Sequence, residues 1–185
     1  TPARVGVFLC REDVRRIGRA LGLPTPLGDR FTMLRALFEA AAQLGAILGG
    51  AAPEVERALA DYGMHLGTAF QLVDDVLDYS GLEGDTGKHL GDDLAEGKPT
   101  LPLIHVLQNG TPEQSACVRR AIEEGGRDDF PAVLAAIQAS GALDHARRQA
   151  AREAELARAA ISNLNATKYR EALLKLTFFA VERDH

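Results

Sequence analysis

The run Gln71-Leu-Val-Asp74-Asp75-Val-Leu-Asp78 sets three carboxylates and an amide into otherwise aliphatic sequence. On a helix turning about 100° per residue, those four polar side chains share roughly one third of the circumference, with Leu72, Val73, Val76 and Leu77 opposite. Like charges within about one turn repel, and Asp is a poor helix-interior residue. No Lys or Arg lies within four residues to relieve them. Water or bound cations must neutralise that face.

The surrounding sequence is helical throughout. Ala, Leu, Glu, Arg and Gln dominate, and strand-like alternation is absent, which predicts an all-α fold. With 185 residues, 46% hydrophobic and 25% charged, the chain fits one globular domain. A long apolar helix is expected over residues 31–48, stopped by a Gly pair. A second should start at Pro53, with Glu54 and Glu56 in its first turn, and run to about Tyr79, roughly 40 Å. Gly63 and Gly67 within it either bend it or admit a close neighbour. Shorter helices follow Thr100 and Thr111, the latter with Gln114 at the capping-box position. Gly125-Gly126 breaks the chain before a helix reaching about Ser140. A charged amphipathic helix spans Leu143 to Leu164, and a last one Lys168 to Arg183. Residues 1–30 stand apart as a divergent, Gly- and Pro-punctuated segment with one short helix, Arg11 to Leu21; residues 31–185 form the helical domain.

Charge and composition narrow the function classes. A net charge of −5, 5% aromatics and no Trp argue against nucleic acid as partner. Cys10 and Cys117 have no metal-ligand spacing and are too few for a disulfide framework, so a reducing cytoplasm is the expected home. No apolar run reaches the length of a transmembrane segment, and no cleavable signal peptide is read at the start.

Spacing alone leaves the acidic face open between a solvated surface and a cation site. The turn before it, Gly67-Thr68-Ala69-Phe70, is small and apolar on nearly every side, which predicts burial. Buried carboxylates need partners, and Mg²⁺, which keeps several waters and accepts substrate phosphate, suits paired Asp residues. The loop beyond carries Gly87-Lys88 and Gly97-Lys98 with Asp92, Asp93 and Glu96 between them. Acids and lysines on a Gly-rich loop beside an acidic helix are what a metal–diphosphate site requires. His65, His89, His105 and His145 share no helical ligand spacing and read as structural or surface residues. Arg147, Arg148, Arg152 and Arg158 with Glu153 and Glu155 read as a solvated helix face.

The run GTAFQLVDDVLDYSG (Gly67 to Gly81), then GKHLGDDLAEGKPTLPLIH (Gly87 to His105), resembles trans-polyprenyl diphosphate synthases, most closely the bacterial octaprenyl type. LFEAAAQLGAILGGAAPEVERALADYG and NGTPEQ fit the same pattern, so the resemblance covers about Leu37 to Arg183. It implies an isoprenoid synthase-type helical bundle whose two aspartate-rich motifs hold Mg²⁺ against an allylic diphosphate. That diphosphate leaves, and isopentenyl diphosphate attacks the allylic cation. By this resemblance Asp74 and Asp75 are metal ligands, with Asp78 an outer or additional one. Gln71 contacts the allylic substrate, Lys88 and Lys98 bind diphosphate, and Asp93 orders the loop or the metal waters.

The pattern also departs from the family. Nothing in Thr1 to Arg30 resembles the first aspartate-rich motif, and the family's Lys-Thr pair before LFEAAA aligns with Met33-Leu34. The N-terminal helices of the bundle are therefore expected to be lacking. The resemblance implies a prenyltransferase, as a homodimer or in association with a synthase subunit. The alternative is a truncated, non-catalytic or regulatory subunit that binds a complete synthase. A terpene cyclase is disfavoured, because its second metal motif is rich in Asn, Ser and Glu.

Overall fold

The computed structural model describes residues 28–80, 90–125 and 128–183, with side chains from residue 34 onward. The expected Arg11–Leu21 helix, Cys10, Lys88 and His89 lie outside the described residues. Within them the chain is helical, with eight helices and no strand. They are α1 (Gly28–Leu48), α2 (Pro53–Ser80), α3 (Asp92–Ala95), α4 (Leu101–Asn109), α5 (Pro112–Glu124), α6 (Phe130–Ala139), α7 (Ala142–Ala160) and α8 (Lys168–Val181). No helix among the described residues is long and apolar enough to cross a membrane.

Composition fits a single domain, but the described residues gather around two cores. At 28 residues, α2 is about 42 Å long, more than one small core can cover. Its first part, to Gln71, belongs to a unit with α1 and Gln149–Arg183; its last turns belong to a unit running from Leu72 to Arg148.

In the first unit, Tyr62, Leu66, Ala157, Ile161 and Ala180 form the buried cluster. The Tyr62 hydroxyl donates to the Leu173 carbonyl oxygen (2.8 Å), and burial pushes its pKa up to about 12. Gly63 and Gly67 admit α1: a Cβ at Gly63 would collide with the Phe38 carbonyl, and one at Gly67 would stand 2.9 Å from the Phe38 Cβ. Close approach, not bending, is what these glycines provide. α7 stops at Ala160, short of the expected Leu164. Arg170 Nε donates to the Ile161 carbonyl (3.0 Å) and its Nη2 to the Ser162 carbonyl (3.0 Å), so the oxygens a longer helix would have used are met by a side chain. Glu153 corrects the sequence reading: it is buried, not solvated, and pairs with His65.

The second unit buries Tyr79, Leu94, Leu103, Val106, Val118, Ile122, Val133 and Ile137. α5 begins at the expected capping box. Thr111 Oγ1 accepts from the Gln114 N–H (3.3 Å), and Gln114 Oε1 accepts from the Thr111 N–H (2.8 Å). Arg120 clamps Asp129 just before α6, with Nε and Nη2 each on one carboxylate oxygen.

Candidate functional site

The acidic face lies on the last turns of α2, and the segment from Gly91 to Leu101 is fastened against it. The Gly91 N–H donates to the Asp78 carbonyl (3.0 Å), and the Asp93 N–H donates to Asp78 Oδ2 (3.2 Å). Further along, the Thr100 hydroxyl donates to the Tyr79 oxygen (3.2 Å), and the Leu101 N–H points at Asp75 Oδ2 (3.4 Å). Between these attachments the sequence expectation of a continuous loop gives way to the single turn of α3, too short to show a helical period. Gly97 then reverses the chain with φ 67°, a conformation an L side chain resists.

This strap delivers Lys98. Its Nζ lies 2.7 Å from Asp93 Oδ1 and 2.7 Å from Glu96 Oε2. The Lys98 N–H also donates to the Asp93 carbonyl (2.9 Å), so Asp93 holds the residue by both backbone and side chain. Burial pulls the ammonium pKa down, but the hydrogen bonds it donates to Asp93 and Glu96 outweigh that and leave Lys98 above its usual value.

The carboxylates do not share one environment. Asp74 is half-buried, while Asp75 is only 5% exposed. Burial, and then the charge of Asp93, pushes Asp78 up to about 6, against backbone hydrogen bonding that lowers it. Gln71, also half-buried, stands one turn before Asp74 on the same helix. Lys88 is outside the described residues. Sequence reasoning missed Tyr79 and Thr100, which join the strap to α2. The signal was present only as a Tyr directly after the acidic run and a Thr ahead of a helical Pro.

Among the described residues, no group of three or more His, Cys, Asp or Glu could hold a metal ion by itself. Asp74 and Asp78, both half-buried, suit a cation that takes one or two carboxylates and would complete its shell with water and substrate phosphate. The raised Asp78, with Asp92 and Asp93 beside it, is the accumulation of negative charge that such a cation would relieve.

Residues 34–137, more than half of the chain, match the family model described as polyprenyl synthetase. The chain belongs to the polyprenyl synthetase family. It is 54% identical over 149 residues to octaprenyl diphosphate synthase of Escherichia coli strain K12, covering 80% of this chain and 46% of that relative. Among solved structures, polyprenyl synthase from Caulobacter crescentus CB15, complexed with calcium and isoprenyl diphosphate, superposes with a TM-score of 0.77. That match has 37% identity and covers 95% of this chain and 56% of the other. A decaprenyl diphosphate synthase from Rhodobacter capsulatus gives 0.73 at 38% identity, over 82% of this chain and 47% of its own. The family assignment agrees with the all-α expectation. The chain spans about half the length of the curated relatives it matches.

Proposed function

We propose that the chain provides one Mg²⁺–diphosphate-binding wall of a prenyltransferase, an enzyme that joins isopentenyl diphosphate to an allylic diphosphate. The observation that carries this reading is the contact series Asp78–Asp93–Lys98, which brings a cation-seeking carboxylate on the end of α2 beside a strap that carries a partly exposed ammonium. The similar Caulobacter protein, whose structure holds calcium and isoprenyl diphosphate, supports it.

Asp74 and Asp78, one helical turn apart, would hold Mg²⁺, which supplies charge stabilisation to a departing diphosphate. Lys98 turns from Glu96 toward a diphosphate oxygen while Asp93 keeps its backbone in place. Lys88 contributes a second ammonium, and Gln71 orients the allylic end through its amide. No side chain acts as a nucleophile; the groups bind, orient and balance charge. The protein works in the cytoplasm, as a homodimer or with a synthase subunit.

Calorimetric titration of inorganic pyrophosphate into the chain tests the site. Binding is expected with Mg²⁺ present and is expected to be lost when the cation is chelated. Incubation with Mg²⁺, an allylic diphosphate and isopentenyl diphosphate tests turnover, which should yield longer prenyl diphosphates. Pyrophosphate binding indifferent to Mg²⁺ would refute the reading.

A further inference from the structure

α4 starts without a side-chain cap of its own. Thr100 sits at the N-cap with extended backbone, but its side chain makes no cap hydrogen bond and its hydroxyl is spent on Tyr79. The next residue but one, Pro102, has no N–H to offer. The leading donor of the helix is thus the Leu101 N–H, and the group it meets is the Asp75 carboxylate of α2. Asp75 is 5% exposed. A carboxylate so placed needs compensation, and the positive end of a helix dipole contributes to it. At 3.4 Å the contact is long for a directional hydrogen bond, so the field of the helix end contributes alongside the single N–H.

We propose that Asp75 is a positioning residue, a cap that α2 lends to α4, and that it is not a direct Mg²⁺ ligand. With Tyr79–Thr100 one turn further on, it pins the segment Lys98–Leu101 to the acidic end of α2. The register of the Lys98 ammonium depends on that attachment. The second acid of the Asp-Asp pair thereby does different work from the first: Asp74 faces the ligand and Asp75 fixes the strap that brings the lysine. The consequence for Lys98 rests on the Mg²⁺–diphosphate reading; the cap itself does not.

Three variants of the full 185-residue chain separate these roles: Asp75→Asn, which keeps a carbonyl acceptor for the Leu101 N–H, Asp75→Ala, which does not, and Asp74→Asn. Two readouts are needed: hydrogen exchange of the Leu101 amide, and Mg²⁺-dependent calorimetric binding of inorganic pyrophosphate. Asp75→Ala is expected to speed Leu101 exchange and weaken pyrophosphate binding, each by about tenfold. Asp75→Asn should recover most of both losses, short of the parent by the share that the carboxylate charge contributes at the helix end. Asp74→Asn should weaken binding while leaving Leu101 exchange unchanged. The proposal is overturned if Asp75→Ala leaves Leu101 exchange unaltered. It is equally overturned if Asp75→Asn loses binding as fully as Asp74→Asn with Leu101 still protected, a comparison that survives even if the Ala variant does not fold. Should the parent chain fail to bind pyrophosphate at all, the functional reading falls while the exchange measurement still decides the cap.

Discussion

His65 Nδ1 lies 2.7 Å from Glu153 Oε2, joining α2 to α7 through a carboxylate that is 7% exposed. Removing the imidazole leaves a buried acid without this partner. His65→Ala should therefore cost about 1–3 kcal/mol of stability, read as a lower urea midpoint. Paired replacement of both residues by apolar ones should recover part of that loss. An unchanged midpoint in His65→Ala would show that the contact contributes nothing.

Gly63 faces the Phe38 carbonyl with no room for a methyl group. Gly63→Ala must push α1 away or shift the backbone of α2, so about 1–3 kcal/mol of destabilisation is expected despite the better helix propensity of Ala. Thermal melting decides it. A stabilised variant would mean that propensity wins and that the close approach is not required.

The rings of His105 and His145 lie 4.5 Å apart between centroids. Burial first, then the charges of His105 and Arg148, hold His145 below its ordinary value of 6.5. The folded chain thus disfavours the imidazolium that the unfolded chain accepts. This contribution is complete above 6.5 and is lost as pH falls through that value toward the depressed folded one. The urea midpoint should decline over that interval, and His145→Gln should decline less. Parallel curves for the two proteins would contradict the assignment.

Asp78 has the opposite linkage. Its carboxyl rises from 3.8 to about 6 on folding, so its contribution is present below 3.8 and is lost as pH rises through 6. At neutral pH the ionised group is a net cost. Asp78→Asn should stabilise the metal-free chain by about 1 kcal/mol, a figure reduced for its partial exposure, while weakening Mg²⁺-dependent pyrophosphate binding. Denaturation and calorimetry on the same variant test both halves; a less stable variant with unchanged binding would contradict both.

Features written in local sequence were legible. Pro53 with its acidic first turn starts α2, and Thr111 with Gln114 caps α5 as their spacing predicts. What sequence could not show are the pairings made between distant segments. Glu153 carries the same pattern as its solvated neighbours Arg152 and Glu155, and only the approach of His65, 88 positions away, gives it a buried role. The end of α7 was hidden for a similar reason, because Arg170 supplies the termination from the next helix. At the site, spacing grouped Asp74, Asp75 and Asp78 by helical face. It could not reveal that Asp75 meets Leu101, or that Asp78 meets the Asp93 backbone.

The end of α2 and its strap are proposed to form a Mg²⁺–diphosphate wall. Calorimetric titration of inorganic pyrophosphate, with and without Mg²⁺, into the parent chain, Asp74→Ala and the exposed control Asp144→Ala tests it most directly. Mg²⁺-dependent binding is expected of the parent and Asp144→Ala, and a loss of at least about tenfold in Asp74→Ala. Equal affinities in all three proteins, or binding that ignores Mg²⁺, would contradict it.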